Sequence, residues 1–150
     1  MKNFQNKLVD KEAKPDTEKF PLVTDYMTRD LITFEIDTPI DVVIKSLLEN
    51  RISGAPILNN DGKVVGLIDD KDCLNTLVGI SYNQLPTTKN TAADYMSNVM
   101  KTISENLSIL QVAHVFVSTP YKRLLVMDEN EMLVGSISRR DVLRAIDELV

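Results

Sequence analysis

Val65-Gly66-Leu67-Ile68-Asp69-Asp70-Lys71-Asp72 and Val134-Gly135-Ser136-Ile137-Ser138-Arg139-Arg140-Asp141 are one segment written twice, 69 residues apart. The offset holds in both directions: Asp25-Tyr26-Met27 returns as Asp94-Tyr95-Met96, Thr33 as Thr102, Ile40 as Ile109, and Leu74 as Leu143. A constant offset without a gap marks an internal repeat, and a repeat decides the fold before any single motif does.

Each copy carries the same succession of local signals. Thr38-Pro39-Ile40-Asp41 predicts a helix start, with a capping hydroxyl, a proline at the first helical position and an acid in the first turn. Ile40, Val43, Ile44, Leu47 and Leu48 then lie on one helical stripe. Ala55 to Leu58 and Lys63 to Ile68 read as two short strands joined by the turn residues Asn59 to Gly62, and Asp70 to Val78 reads as a closing helix. The second copy repeats the order with the stripe Ile109, Val112, Ala113, Phe116 and Val117. Its strands are Leu124 to Met127 and Met132 to Ile137, and its last helix runs from Arg139 to about Leu149. A unit of roughly 50 residues closes a core poorly by itself, so the two copies are expected to pack together about a pseudo-twofold axis, giving two matching clefts. Residues 1–20 read as an N-terminal arm, 21–79 as the first repeat, 80–91 as a polar linker containing Pro86, and 92–150 as the second repeat.

The composition narrows the class. A net charge of -5 and the absence of a long run of Lys and Arg argue against an extended nucleic-acid surface, so any anion site must be local. No long apolar run predicts a membrane span, and the opening MKNFQNKLVDKEAK has no apolar core of a secretory signal, so a cytoplasmic protein is expected. The single cysteine, Cys73, reads as a buried thiol on the inner face of a helix with Leu74, Leu77 and Val78. The single histidine, His114, has no cysteine, second histidine or paired carboxylate at ligand or triad spacing, which speaks against a metal site and against catalysis.

The segment from Gly135 to Asp141 runs a strand into a helix whose first turn holds a hydroxyl, two arginines and a carboxylate. Helix N-terminal amides and Arg guanidinium groups suit phosphate, and a carboxylate beside them can accept the hydroxyl protons of a ribose diol. Ser138-x-x-Asp141 is equally an ordinary helix cap, as is Ser108 with Gln111. Lys122 and Arg123 tip Ser138 toward the ligand reading, because a hairpin neighbour would carry them to the same cleft. In the first copy Ser53, Gly54, Asp69, Asp70 and Lys71 replace Lys122, Arg123, Ser138, Arg139 and Arg140, while Asp72 matches Asp141. A phosphate there would meet like charge at a cost on the order of 1 kcal/mol or more. Asp69 and Asp72 thus mark a degenerate second site, and Asp69, Asp70 and Asp72 lack the glycine-punctuated loop of a hard-cation site.

Over about residues 22–147 the chain resembles the tandem cystathionine β-synthase (CBS) domain pair, or Bateman module. The resemblance rests on the two Tyr-Met starts, Asp37-Thr38-Pro39-Ile40, Ile52 to Ile57, Gly62 to Gly66, and Gly-x-x-Ser-x-x-Asp at 135–141. It implies an α/β (α+β) fold in which each repeat has a short three-stranded sheet and two helices. It further implies that Asp141 holds ribose hydroxyls, that Lys122, Arg123, Ser138 and Arg140 reach phosphate, and that Met27, Thr28, Ile32 and Thr33 line the adenine pocket. Arg139 is assigned to a second phosphate or a second subunit. By resemblance the ligands are AMP, ADP or ATP, with cyclic di-AMP as an alternative. The implied protein is a non-enzymatic regulator that needs no cofactor, forms a homodimer and acts on an unidentified partner protein. The rival expectation is a ligand-free structural pair that only dimerises, with Ser138 and Asp141 serving as a cap.

Overall fold

The computed structural model describes residues 19–83 and 90–150. In the first repeat, a 3-10 turn at Val23–Asp25 leads to β1 (Phe34–Glu35), α1 (Ile40–Asn50), β2 (Gly54–Leu58), β3 (Val64–Asp69) and α2 (Asp70–Asn83). In the second, α3 (Ala92–Tyr95) leads to β4 (Thr102–Ser104), α4 (Ile109–Ser118), β5 (Arg123–Met127), β6 (Leu133–Ser138) and α5 (Arg139–Leu149). Each repeat builds its own three-stranded mixed sheet, β1-β2-β3 and β4-β5-β6. The outer strand of each pairs parallel to the middle one, across a connection that contains a helix, and the hairpin pairs antiparallel.

Both hairpin turns use the same device. The Asn59 side chain accepts the amides of Asp61 and Lys63, and the Asp128 side chain accepts those of Asn130 and Met132. The fourth residue of this turn is left-handed: Gly62 has φ 77°, and its counterpart Glu131 holds φ 62° without a glycine's freedom.

Neither core is made by one repeat. Val23 and Met27, from the start of the first copy, are buried in the second core among Ile103, Ile109, Leu124 and Ile137. Ala92, with Tyr95 and Met96 packed alongside, completes the first core around Ile40, Ile57 and Ile68. The exchange is reciprocal in its backbone bonds. Thr28 and Ser136 bond each other through both amides at 2.8 and 3.0 Å, as Leu67 and Ser97 do at 2.9 and 2.8 Å. The crossings are close because Gly66 and Gly135 have no Cβ. A methyl on Gly135 would stand 2.7 Å from Met27 Sδ and 2.8 Å from the Thr28 carbonyl, and one on Gly66 would be 2.8 Å from both Met96 Sδ and the Ser97 carbonyl.

Several sequence expectations change. Thr38 does not cap α1: its hydroxyl accepts the Glu35 amide at 2.9 Å, Pro39 holds the cap position, and the Ile40 amide is taken by the carbonyl of Asn90, just before the second copy. The closing helix of the first repeat continues to Asn83 rather than ending near Val78, so it runs into the stretch read as linker. Residues 1–18 of the arm and 84–89 of that linker lie outside the described residues. The stripe residues Leu48 and Val117 are exposed, and of the face read around Cys73 only Cys73 is buried, with Leu74, Leu77 and Val78 at half exposure or more. These exposed side chains belong to neither core and lie on the helix faces turned away from both. Burial raises the Cys73 thiol pKa above its ordinary value, and the carboxylates of Asp72, Asp69 and Asp70 add to the effect.

Candidate functional site

The hairpin of the second repeat places Arg123 directly opposite Ser138 across β5 and β6. The Arg123 guanidinium donates to Ser136 Oγ at 3.0 Å, and Ser136 is almost fully buried. Ser136 is also the residue whose backbone pairs with Thr28, so the start of the first copy reaches the strand that carries the second copy's candidate anion groups. Ser138 is the N-cap of α5. Its hydroxyl accepts the Asp141 amide at 3.3 Å, while Asp141 Oδ2 accepts the Ser138 amide at 2.8 Å and its hydroxyl at 3.0 Å. The capping role is therefore realised, and the carboxylate that would meet a ribose is fixed in direction by that same box.

Lys122 and Arg140 are exposed beside this centre in sequence, one preceding β5 and the other in the first turn of α5. Arg139 reaches back to the Pro120 carbonyl at 3.5 Å, which ties the helix start to the loop before β5. Thr28 is exposed. Met27 is a core residue with its sulfur against Gly135, whereas Ile32 packs on the first repeat's core and Thr33 directly precedes β1. Arg123, Ser138, Asp141 and Thr28 thus come together, and Ile32 and Thr33 stand with the neighbouring repeat. His114 is an exposed residue of α4.

Two residues at this centre escaped the sequence reading. Ser136, the partner of Arg123, corresponds to Leu67 in the first copy. Arg144, which pairs with Asp141 Oδ1 at 3.3 Å, corresponds to Asn75. Comparing the copies position by position for polar gains, Leu67 to Ser136 and Asn75 to Arg144, was the signal that could have found both.

The mirror position is built differently. Asp69 and Asp72 form a reciprocal cap, with the Asp72 amide on Asp69 Oδ1 at 2.7 Å and the Asp69 amide on Asp72 Oδ2 at 3.0 Å. Burial raises the Asp72 pKa, the Asp69 amide opposes this, and the Asp69 carboxylate raises it further. A cavity of about 430 Å³ lies elsewhere, at the facing hairpin turns. It is lined by Lys63, Val64, Thr102, Ile103, Ser104, Met127, Asp128 and Glu131, with Lys63 and Glu131 paired at 3.8 Å across the repeats. No helix among the described residues is long and apolar enough to cross a membrane.

Two β-α-β-β-α units that complete each other's cores define a tandem α+β repeat module. The chain belongs to the CBS-domain family: the family's CBS domain matches residues 23–79 and again 92–148. It is 30% identical over 128 residues to a CBS domain-containing protein of Dictyostelium discoideum, covering 81% of this chain and 88% of that one. It is 28% identical over 153 residues to an uncharacterised protein of Methanocaldococcus jannaschii, covering 83% and 90%. In structure it is similar to the Arabidopsis thaliana protein CBSX2, solved in complex with AMP, with a TM-score of 0.71 at 24% identity over 86% of this chain and 98% of that one. It is likewise similar to CbpB, solved in complex with c-di-AMP, with a TM-score of 0.73 at 22% identity over 89% of each.

Proposed function

We propose that the chain is a regulatory module that binds an adenine nucleotide, AMP, ADP or ATP, in one competent cleft and passes occupancy to a partner protein. The observation that carries this reading is the juxtaposition of Arg123, Ser138 and Asp141 with the Thr28 crossing. Phosphate is assigned to the Arg123 and Ser138 end, helped by Lys122, Arg140 and Arg139, because guanidinium forks and helix N-terminal amides suit phosphate. The ribose hydroxyls go to Asp141, and the base lies against the start of the first repeat, Met27, Thr28, Ile32 and Thr33. The AMP of CBSX2 and the c-di-AMP of CbpB support an adenine ligand, and cyclic di-AMP is the alternative messenger. The mirror cleft is the weaker one, since Asp69 stands where Ser138 would donate.

The output runs through a homodimer and a regulated protein in the cytoplasm, without catalysis. Exposed Leu74, Leu77 and Val78 on α2, and Leu143, Ile146 and Leu149 on α5, supply apolar helix faces for a second copy. A second reading, a structural pair that binds nothing, is favoured by the closed Ser138–Asp141 cap.

Thermal denaturation with each adenine nucleotide separates the two. Ligand at 100 times its dissociation constant adds about 2.7 kcal/mol of stability, whereas no shift with any of AMP, ADP, ATP or cyclic di-AMP rejects the nucleotide reading. Arg123→Ala is expected to weaken binding about tenfold, with the loss greater at low salt, and Asp141→Ala by a similar factor with little salt dependence. Isothermal titration at two ionic strengths measures both.

A further inference from the structure

Arg144 joins the two parts of the molecule that occupancy has to connect. One arm of its guanidinium donates to Asp141 Oδ1 at 3.3 Å. The other donates to the Tyr26 carbonyl at 3.2 Å, and the guanidinium carbon lies 5.7 Å from the centre of the Tyr26 ring. Tyr26 immediately precedes Met27 and Thr28, the segment that crosses into the second repeat's core and pairs with Ser136. A lysine could hold either end as a point charge, but only the planar fork of arginine meets a carboxylate and a carbonyl together.

The mirror position lacks this connection. Asn75 stands for Arg144, and Tyr95, the counterpart of Tyr26, receives its hydrogen bond from the Asn90 side chain at 2.7 Å. Among the described residues, the bridge therefore occurs only in the repeat that carries the cations.

We infer that Arg144 couples occupancy at Asp141 to the seating of Tyr26 and the exchanged segment behind it. This rests on the nucleotide reading given above. Asp141 Oδ2 is already committed to the Ser138 amide and hydroxyl, so a diol approaches Oδ1, where it competes with Arg144. Displacing one arm of the fork weakens the hold of the other on Tyr26. Coupling is reciprocal, so a variant that lacks the bridge binds the ligand more tightly by the factor that bridge formation costs the wild type.

The test is NMR of ring-labelled tyrosine, with Tyr95 as internal reference and AMP as probe, on the wild type, Arg144→Ala and Arg144→Lys. Without ligand, Arg144→Ala should move the Tyr26 ring signal and leave Tyr95 in place. Titrating AMP into the wild type should move Tyr26 toward its position in Arg144→Ala, in step with binding followed by calorimetry. In Arg144→Ala the signal should stay still while affinity rises roughly threefold, the scale of an exposed ion pair. Arg144→Lys should bind AMP and show no coupled movement of Tyr26. The inference is overturned if saturating AMP leaves Tyr26 unmoved in the wild type, or if Arg144→Ala binds AMP no more tightly. If AMP binds none of the three, the titration is repeated with ADP, ATP and cyclic di-AMP, and failure of all four removes the nucleotide reading and the coupling together. The ligand-free comparison still reports the Arg144–Tyr26 contact in that case, which tells the two failures apart.

Discussion

At the scale of single residues, the two copies show how one position can be a site in one context and a burden in another. Ser138 and Asp69 are equivalent caps, yet Ser138 adds a neutral donor and Asp69 adds a second negative charge to Asp72. Because the Asp72 pKa is raised in the folded state, the fold binds more protons there than the unfolded chain does. Its contribution to stability accordingly falls as pH rises from the ordinary value of 3.8 through the raised one. Asp69→Ser is expected to increase stability at pH 7 by about 0.5 kcal/mol, a value scaled to a partly exposed pair, with the gain shrinking toward pH 4. Urea denaturation at the two pH values measures this, and an equal gain at both would assign the effect to capping geometry rather than charge. The family resemblance of Ser138, Asp141 and the flanking cations was readable from residue types alone. The hold of Ser136 on Arg123 was not, because strand register decides which side chains face each other.

Among elements, hairpins and helix order followed directly from turn residues and apolar spacing, and the short first strands did not. β1 and β4 have two and three residues and form only because a parallel neighbour supplies their hydrogen bonds. The helix stripes were legible in position but too wide, since Leu48 and Val117 point away from the cores. Two glycines separate packing from propensity. Gly135→Ala should cost about 2 kcal/mol or more, because the clash involves the Thr28 carbonyl as well as the Met27 side chain. Gly79→Ala lies within α2, where an added methyl comes only to 3.8 Å from the Tyr95 hydroxyl, and should stabilise by roughly 0.5–1 kcal/mol. Chemical denaturation of the two variants gives opposite signs if the crossing, and not helix preference, fixes Gly135.

For the whole molecule, exchange of the leading segments makes the two repeats one cooperative unit. Met27→Ala removes a first-repeat side chain from the second core and should cost about 2–3 kcal/mol. Scanning calorimetry is expected to show a single endotherm that moves as a whole, and a residual transition at the wild-type temperature would show that the repeats unfold separately. The sequence by itself determined the repeat, its period, the strand-turn-strand and helix content of each copy, and the uneven share of cations between them. Those properties are local, set by side-chain periodicity, turn chemistry and residue type. Only the tertiary structure decided that each repeat lends its first residues to the other's core, that Thr28 therefore lies on Ser136, and that Arg144 spans Asp141 and Tyr26. Contacts between residues more than a hundred positions apart leave no periodic trace in the chain, because they depend on which surfaces remain unfilled once every local element has formed.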